Sequence, residues 1–322
     1  MHVLGIDAGG TKTVALLADA DGRILGEGRA GAANLQTDGE LEVEKTLHMA
    51  IENATDGQNL TVAAVCLGVA GVDRQDDASV IRGVMRRLGF RSKPLIVNDA
   101  LIALVAGAGS SPGVVVISGT GSIAYGVSQH GVAARAGGWG PTLADEGSGY
   151  WIGRRALAAV MREFDGRGPH TVLSRLVLGH FSLPEPEGLV AEIYHRPQGR
   201  RVIASLARVV DRAREDGDPV AIDIFSQAAD ELTVAASSVI TRLEMRGEPF
   251  PLLLAGGVLR ESSWLASEVR RRMAEVAPRA MVSLLTNEPA IGAVRLAIAE
   301  ATGGARVPPY IDSSRSAPPT TA

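Results

Sequence analysis

The amino-acid sequence predicts an α/β protein made of two similar halves with a cleft between them. Each half opens with an apolar strand that enters a short glycine–threonine turn, at Thr11 in the first half and at Thr120 in the second. A further glycine turn follows each of these, at Gly22 and at Gly131, and both pairs of positions share one constant offset. Helical and strand patterns alternate after each opening meander, and this alternation is typical of layered α/β domains.

The first half is predicted from hydrophobic spacing and turn residues. Residues 1–28 have the pattern of a β-hairpin extended to a third strand, with a turn signal at Asp21 and Gly22. Apolar residues at helical spacing then alternate with short continuous apolar runs. These patterns predict a helix over 40–53, a strand over 60–69, a helix over 78–88, a strand over 94–97 and a helix over 100–106.

The second half repeats the plan with a larger helical insertion. Asp218 is a favourable N-cap, and Pro219 fits the first helical position because that position needs no N–H donor. The predicted elements are hairpin strands from 113 to about 135, a helix from 150, mostly helical sequence over 169–216 with breaks at 184–188 and 197–199, a long helix over 218–246, a strand over 252–255, a helix over 264–276, a strand over 281–284 and a helix over 289–301. The tail at 303–322 is rich in Pro, Ser, Thr and Ala, and we expect it to be disordered.

Composition and charge favour a cytoplasmic globular protein. The 322 residues suffice for two domains with their own cores, and 46% of them are apolar while 21% are charged. The net charge of −4 gives no indication of the positively charged surface that binds nucleic acid. No apolar run reaches the roughly 20 residues of a membrane span, and the N-terminus opens with a strand rather than a signal peptide. The single cysteine, Cys66, excludes an internal disulfide and a cysteine-rich metal or iron–sulfur site within one chain.

The two glycine–threonine turns predict a phosphate clamp for a nucleoside triphosphate. Glycine lets backbone N–H groups approach an anion closely, and threonine and serine hydroxyls donate hydrogen bonds to phosphate. Two facing turns of this kind indicate an enzyme that uses ATP. The candidate phosphate-binding residues are Gly9, Gly10, Thr11, Lys12 and Thr13 in the first turn, and Gly119, Thr120, Gly121 and Ser122 in the second.

Asp7 ends the first strand, directly before the first of these turns. Because a carboxylate and a phosphate repel each other, the sensible role for Asp7 is to hold Mg²⁺ or its waters. The alternative is a purely structural turn in which Asp7 caps backbone groups. The second copy of the turn favours the functional interpretation.

Asn98 and Asp99 end another predicted strand, at the edge where open α/β sheets gather their ligands. Asp99 could act as a general base for a hydroxyl that attacks a γ-phosphate. It could also cap the helix predicted from residue 100, because aspartate is common at that position. Spacing alone favours the cap.

The stretch 137–151 has the most unusual local composition in the chain, with glycines, two tryptophans and two adjacent acids. Such a loop suits a polyhydroxylated ligand, because carboxylates accept hydrogen bonds from sugar hydroxyls while glycine lets the backbone come close. The alternative is a stiff connector in which Asp145 or Ser148 caps the next helix. The composition favours a ligand, with Asp145 as a better candidate than Glu146.

Two weaker signals complete the set. Gly256 and Gly257 follow a predicted strand and could let a nucleobase stack on bare backbone, although a single Gly–Gly pair is more often only a turn. The six histidines are scattered without ligand spacing, so the sequence predicts no metal site beyond Mg²⁺.

Together these motifs resemble the N-acetylglucosamine kinase branch of the BadF/BadG/BcrA/BcrD ATPase family. The motifs are Asp7-Ala8-Gly9-Gly10-Thr11, Asn98-Asp99-Ala100, Ser118-Gly119-Thr120-Gly121-Ser122, Gly138-Trp139-Gly140, Asp145-Glu146-Gly147-Ser148 and Gly256-Gly257. They come in the family's order and cover the chain to about residue 300. The resemblance implies the duplicated ribonuclease-H-like, actin/hexokinase-type ATPase fold with an interdomain cleft. It assigns 1–112 and the helix at 289–301 to the N-terminal domain, and 113–288 to the C-terminal domain.

The resemblance also implies roles for single residues. Asp99 resembles the catalytic base and a sugar contact, which reverses the interpretation from spacing. Gly217 resembles a nucleotide contact, and Gly256 and Gly257 resemble the adenosine motif. The residues that resemble sugar contacts are Asn34, Gly138, Trp139, Gly140 and Asp145. One departure is Ala144, where the family more often has glycine.

The implied reaction is transfer of the γ-phosphoryl group of MgATP to the 6-hydroxyl of N-acetylglucosamine, with glucosamine and N-acetylmuramic acid as alternative acceptors. Relatives often dimerise, and the sequence leaves the oligomeric state open.

ATPase activators in the same superfamily share a cluster held by two cysteines per chain, so Cys66 alone argues against that class. The zinc-containing repressor–kinases are disfavoured because their cysteine cluster is absent. A non-catalytic sugar sensor is disfavoured because Asp7 and Asp99 are both present.

Overall fold

The first half of the chain forms a five-stranded sheet. The computed structural model describes residues 1–35, 39–58, 60–72, 75–90, 93–195 and 199–310. The strands of this sheet are β1 (His2–Ala8), β2 (Thr13–Ala18), β3 (Ile24–Ala30), β4 (Val62–Val69) and β5 (Leu95–Asn98). Its helices are α1 (Glu40–Thr55), α2 (Gln75–Arg87) and α3 (Asp99–Ala108). All of these elements were predicted from the sequence, with ends that differ by a few residues.

The second half forms another five-stranded sheet with a helical insertion. Its strands are β6 (Gly113–Ser118), β7 (Ser122–Val127), β8 (Ala133–Gly137), β9 (Phe250–Ala255) and β10 (Ala280–Leu284). The helices are α4 (Gly149–Phe164), α5 (Leu173–Phe181), α6 (Gly188–Tyr194), α7 (Gly199–Glu215), α8 (Pro219–Arg242), α9 (Gly257–Glu261), α10 (Ser263–Val276) and α11 (Pro289–Gly303). None of the helices in the described ranges combines the length and the apolar character that a membrane span requires.

The two sheets have the same topology, which confirms the predicted duplication. Their strand orders are β3-β2-β1-β4-β5 and β8-β7-β6-β9-β10. In each, the opening meander is antiparallel and the last two strands join in parallel. The meander turns match as well, since Gly22 N donates to Asp19 O at 3.2 Å and Gly131 N donates to Ser128 O at 3.0 Å. The duplication therefore extends from the turns to both whole sheets.

The two halves are connected by two helices. Helix α3 follows β5, the last strand of the first sheet, and α11 follows β10, the last strand of the second. Helix α11 packs on β1 and β4 of the first sheet, and α3 packs on β6 and β7 of the second. The two helices also pack against each other, so closely that a Cβ on Gly292 would lie 1.9 Å from the carbonyl oxygen of Ile102. The amino ends of α3 and α11 therefore meet between the sheets, where the candidate site lies.

The structure differs from the sequence-based expectation at three places. Helix α8 starts as predicted, with the Asp218 side chain accepting from Ala221 N at 2.9 Å, but it ends at Arg242 rather than at residue 246. The short helix α9 was not predicted. Residues 303–310 were expected to be disordered, yet Ala133 N donates to Pro309 O at 2.8 Å along the edge of β8. The remaining part of that expectation, 311–322, lies outside the described residues.

Candidate active site

A cleft of about 1620 Å³ lies between the two sheets, at the ends of their central strands. The two glycine–threonine turns face each other across it. Thr11 Oγ1 and Thr120 Oγ1 lie 2.8 Å apart and share a hydrogen bond, although one belongs to each half of the chain. The predicted site residues that line the cleft are Asp7, Gly9, Gly10, Thr11, Lys12, Asn34, Asp99, Gly119, Thr120, Gly121, Ser122, Gly138, Gly140, Asp145, Gly256 and Gly257.

The backbone of each turn is tightened by its own hydrogen bond. Gly9 N donates to Lys12 O at 3.0 Å between β1 and β2, and Gly119 N donates to Gly121 O at 2.9 Å between β6 and β7. The side chain of Asn34 lies beside the first turn, since a Cβ on Gly10 would be 3.8 Å from its Nδ2. Both turns thus present backbone and hydroxyl groups to one space, as an anion site requires.

Asp7 is buried at the end of β1, with 8% of its surface exposed. Its pKa is raised to about 7, first because burial disfavours the charged carboxylate and second because Asp99 repels it, while Lys12 partly offsets both. The carboxyl groups of Asp7 and Asp99 therefore belong to one electrostatic environment. A cation placed beside Asp7 would restore its ionised form.

Asp99 is the first residue of α3 and lines the cleft, half-buried. The N-cap of this helix is Asn98, whose Oδ1 accepts from Ala100 N at 2.8 Å. The capping interpretation of Asp99 was therefore wrong, because the neighbouring amide already performs that function. Asp99 lies within the first turn of α3, where the helix dipole favours a negative charge.

Glu288 is a cleft residue that the sequence analysis missed. It occupies the N-cap position of α11, and both of its carboxylate oxygens lie 2.8 Å from Lys12 Nζ. Burial opposes ionisation, yet the pKa of Glu288 lies below its ordinary value because Lys12 and Arg29 donate hydrogen bonds to it. The Glu-Pro pair at the start of a predicted helix was the only available signal, and it resembles an ordinary helix start.

Asp145 is the most buried acid of the cleft, with 3% of its surface exposed. Its backbone has φ +68°, a conformation uncommon for residues other than glycine. Burial raises the pKa of Asp145, whereas the guanidinium of Arg200 and the backbone N–H groups of Ser122 and Gly140 lower it. Asp145 is thus held against the second turn, and a Cβ on Gly121 would lie 3.0 Å from its Oδ2.

Gly256 and Gly257 join β9 to α9 beside the second turn. Gly256 has φ +94°, and a Cβ there would lie 2.2 Å from the carbonyl oxygen of Ser118. A residue with a side chain therefore cannot occupy this position without displacing the backbone. Gly257 begins α9, and a Cβ on it would meet no atom within 4 Å, so its face toward the cleft is open.

Comparison with known proteins decides the family. The profile of the BadF/BadG/BcrA/BcrD ATPase family matches residues 4–297. The chain belongs to the BadF/BadG/BcrA/BcrD ATPase family. This confirms the family resemblance found in the sequence, and family membership implies the use of ATP.

Relatives of this BadF/BadG/BcrA/BcrD ATPase include two proteins named as amino-sugar kinases. The N-acetylmuramic acid/N-acetylglucosamine kinase of Clostridium acetobutylicum is 39% identical over 302 residues, which cover 93% of this chain and 99% of that protein. The N-acetyl-D-glucosamine kinase of Dictyostelium discoideum is 34% identical over 92% of this chain and 97% of its own length. A candidate N-acetylglucosamine kinase from Chromobacterium violaceum has the same fold, with a TM-score of 0.70, 27% identity and coverage of 91% of this chain and 97% of its own. The actin/hexokinase-type fold is thereby confirmed.

Three predicted residues of this family member are not among the described residues that line the cleft. Thr13 is fully buried on β2, so its hydroxyl does not reach the space where a phosphate would bind. Trp139 is 53% exposed and stacks under the guanidinium of Arg135, which lies 3.8 Å from the ring centroid. Gly217 is exposed just after α7, although its neighbours Glu215 and Asp216 line the cleft.

The amino end of α7 was also missed as part of the site. Arg200 Nη2 donates to Asp145 Oδ2 at 2.7 Å, and Arg201 Nε donates to Gly10 O at 3.2 Å. In this BadF/BadG/BcrA/BcrD ATPase the helical insertion therefore contacts the first phosphate turn directly and reaches the second through Asp145. Sequence spacing could not show this contact, because it depends on how the insertion folds back over the cleft.

Proposed function

We propose that the chain is an ATP-dependent amino-sugar kinase that transfers the γ-phosphoryl group of MgATP to the 6-hydroxyl of N-acetylglucosamine. The observation that carries the proposal is the contact between Thr11 and Thr120 across the cleft, which Asp99 also lines. The names of the two relatives, which cover almost the whole chain, support the acceptor. N-acetylmuramic acid is the alternative acceptor that the bacterial relative's name favours.

The nucleotide would bind with its phosphates between the two turns. The glycines and the hydroxyl-bearing residues Thr11, Thr120 and Ser122 of the two turns line the cleft, and Lys12 supplies a positive charge beside Thr11. The adenosine would lie against Gly256 and Gly257, where no side chain covers the backbone. The pairing of Lys12 with Glu288 keeps the lysine at this turn before the nucleotide arrives.

The donor set at Asp7 fits Mg²⁺ that is bound largely through the nucleotide. Mg²⁺ usually keeps several waters and takes one or two carboxylates together with substrate phosphates. Asp7 offers one buried carboxylate beside the first turn, and no group of three His, Cys, Asp or Glu side chains in the described residues forms a metal cage. When bound, the ion would neutralise charge on the transferring phosphoryl group.

Asp99 would accept the proton of the sugar hydroxyl as that oxygen attacks the γ-phosphorus. The new bond joins the 6-oxygen to phosphorus, and the bond to the bridging oxygen of the departing ADP breaks. Asp99 lies in the first turn of α3, where the helix dipole stabilises a negative charge. Closure of the cleft would exclude water, which is a competing acceptor.

We expect Asp145→Asn to raise the KM for the sugar about 10- to 100-fold while the KM for ATP stays unchanged. The charged hydrogen bonds to sugar hydroxyls weaken when the carboxylate is lost, whereas asparagine tolerates the positive φ at this position. Steady-state kinetics with each substrate varied in turn would measure both constants. Glu146→Gln is the matched control, because Glu146 is exposed and is not among the described cleft residues. Equal sugar KM values for wild type and Asp145→Asn would contradict the assignment.

The activity itself is tested by release of ADP from MgATP in the presence of N-acetylglucosamine, glucosamine, N-acetylmuramic acid, glucose or no sugar. We expect stimulation by amino sugars and not by glucose. Mass spectrometry of the product would show addition of one phosphoryl group. A rate that is equal with and without every sugar would contradict the proposal and would favour an ATPase that acts on a protein partner.

A further inference from the structure

Arg200 lies beside the carboxylate to which we assign sugar binding, and its hydrogen-bonding capacity is only partly used. Its Nη2 donates to Asp145 Oδ2 at 2.7 Å. Its Nε is buried and has no hydrogen-bond partner among the described residues. A buried guanidinium donor without an acceptor is unfavourable. The Arg200 side chain is 23% exposed, so a ligand in the cleft can reach the guanidinium and supply an acceptor.

The surroundings of Arg200 add to its preference for an anion. Residues 199–202 line the cleft at the amino end of α7, where the helix dipole is positive. The guanidinium carbon of Arg200 also lies 5.8 Å from the centroid of the Tyr150 ring, over its face. Because a guanidinium has five N–H donors in a fixed fork, it can bind Asp145 and a second carboxylate at the same time.

We propose that Arg200 determines acceptor specificity by binding a carboxylate carried by the amino sugar. The inference rests on the proposed function, since it places the sugar hydroxyls at Asp145. Any acidic substituent attached through a hydroxyl oxygen near Asp145 would then lie within reach of Arg200. N-acetylmuramic acid has this chemistry, because an ether on its 3-oxygen carries a carboxylate, whereas N-acetylglucosamine has a hydroxyl there.

The test compares the two sugars in wild type and in Arg200→Met. We expect the ratio of kcat/KM for N-acetylmuramic acid to that for N-acetylglucosamine to fall about 10- to 100-fold in the variant, as expected for loss of a charge-assisted pair. Arg155→Met is the matched control, since Arg155 is exposed on α4 outside the cleft and pairs with Gln227. A ratio, rather than a single rate, cancels any general loss of active enzyme. Equal losses for both sugars would assign Arg200 a purely structural role and overturn the proposal.

A second measurement uses only the wild-type protein. The methyl ester of N-acetylmuramic acid keeps the bulk of the substituent but removes its charge. We expect the free acid to have a kcat/KM about 10- to 100-fold above that of the ester. Equal values for acid and ester, or phosphorylation of N-acetylglucosamine without any of the acid, would overturn the role of Arg200 and leave the kinase proposal intact. Failure of every amino sugar to stimulate ADP release would instead overturn both.

Discussion

Asp99→Asn is expected to lower kcat about 10²- to 10⁴-fold, the usual contribution of a general base. The amide cannot accept the proton of the attacking hydroxyl, but it has nearly the same size as the carboxyl group. Asn98, which caps α3, is unchanged, so the start of the helix should keep its position. Initial rates at saturating MgATP and sugar would give kcat, and calorimetric titration with ATP would give the nucleotide affinity, which we expect to be retained.

The control for this experiment is Asp223→Asn, the same replacement at an exposed residue of α8 outside the cleft. Its kcat should equal that of the wild type. An unchanged kcat in Asp99→Asn would exclude a role as base. Loss of ATP affinity together with kcat would instead show that Asp99 supports the nucleotide site, where it already raises the pKa of Asp7 by repulsion.

The opening meander of each half was predictable because its turns require particular residues. Gly22 and Gly131 both have positive φ, and glycine adopts that conformation without the steric penalty of a Cβ. These glycines therefore recur at matching positions and reveal the repeat. The later strands β4, β5 and β9 carry no such requirement, and neither does β10, which is a partly exposed edge strand. Any short apolar run can form a buried parallel strand, so these strands show no sequence repeat. The rest of the duplication is therefore visible only in the sheet topology.

The site could be predicted where backbone approach or a strand end imposed the residue type. Asp7 lies near the end of β1 and Asp99 directly follows β5, at one edge of the first sheet, and the structure brings them into one cleft. Thr13 shows the limit of this reasoning, because β2 is buried on both faces and hides the hydroxyl. Glu288 and Arg200 were missed for a different reason. A charged residue at a helix start normally faces solvent, and only the tertiary fold turns these two toward the phosphate turns.

The second large effect is expected at the junction of β9 and α9. Gly256→Ala should lower the free energy of unfolding by about 3 kcal/mol, since it combines an unfavourable positive φ with overpacking against backbone. The added Cβ would lie 2.2 Å from the carbonyl oxygen and 2.4 Å from the carbonyl carbon of Ser118, at the end of β6. Backbone cannot rotate aside as a flexible side chain can. Urea unfolding without nucleotide would measure the loss.

Gly257→Ala separates this steric argument from a general effect of adding a methyl group. The two glycines are adjacent, but a Cβ on Gly257 meets no atom within 4 Å, and the residue is the first of α9. Alanine has a higher helix propensity than glycine by up to about 1 kcal/mol, so this variant should be as stable as the wild type or slightly more stable. Equal destabilisation by both replacements would contradict the close approach of Gly256 to Ser118. Destabilisation by Gly256→Ala alone would establish that this glycine is required to hold the second phosphate turn against β9, before any contact with a nucleotide is considered.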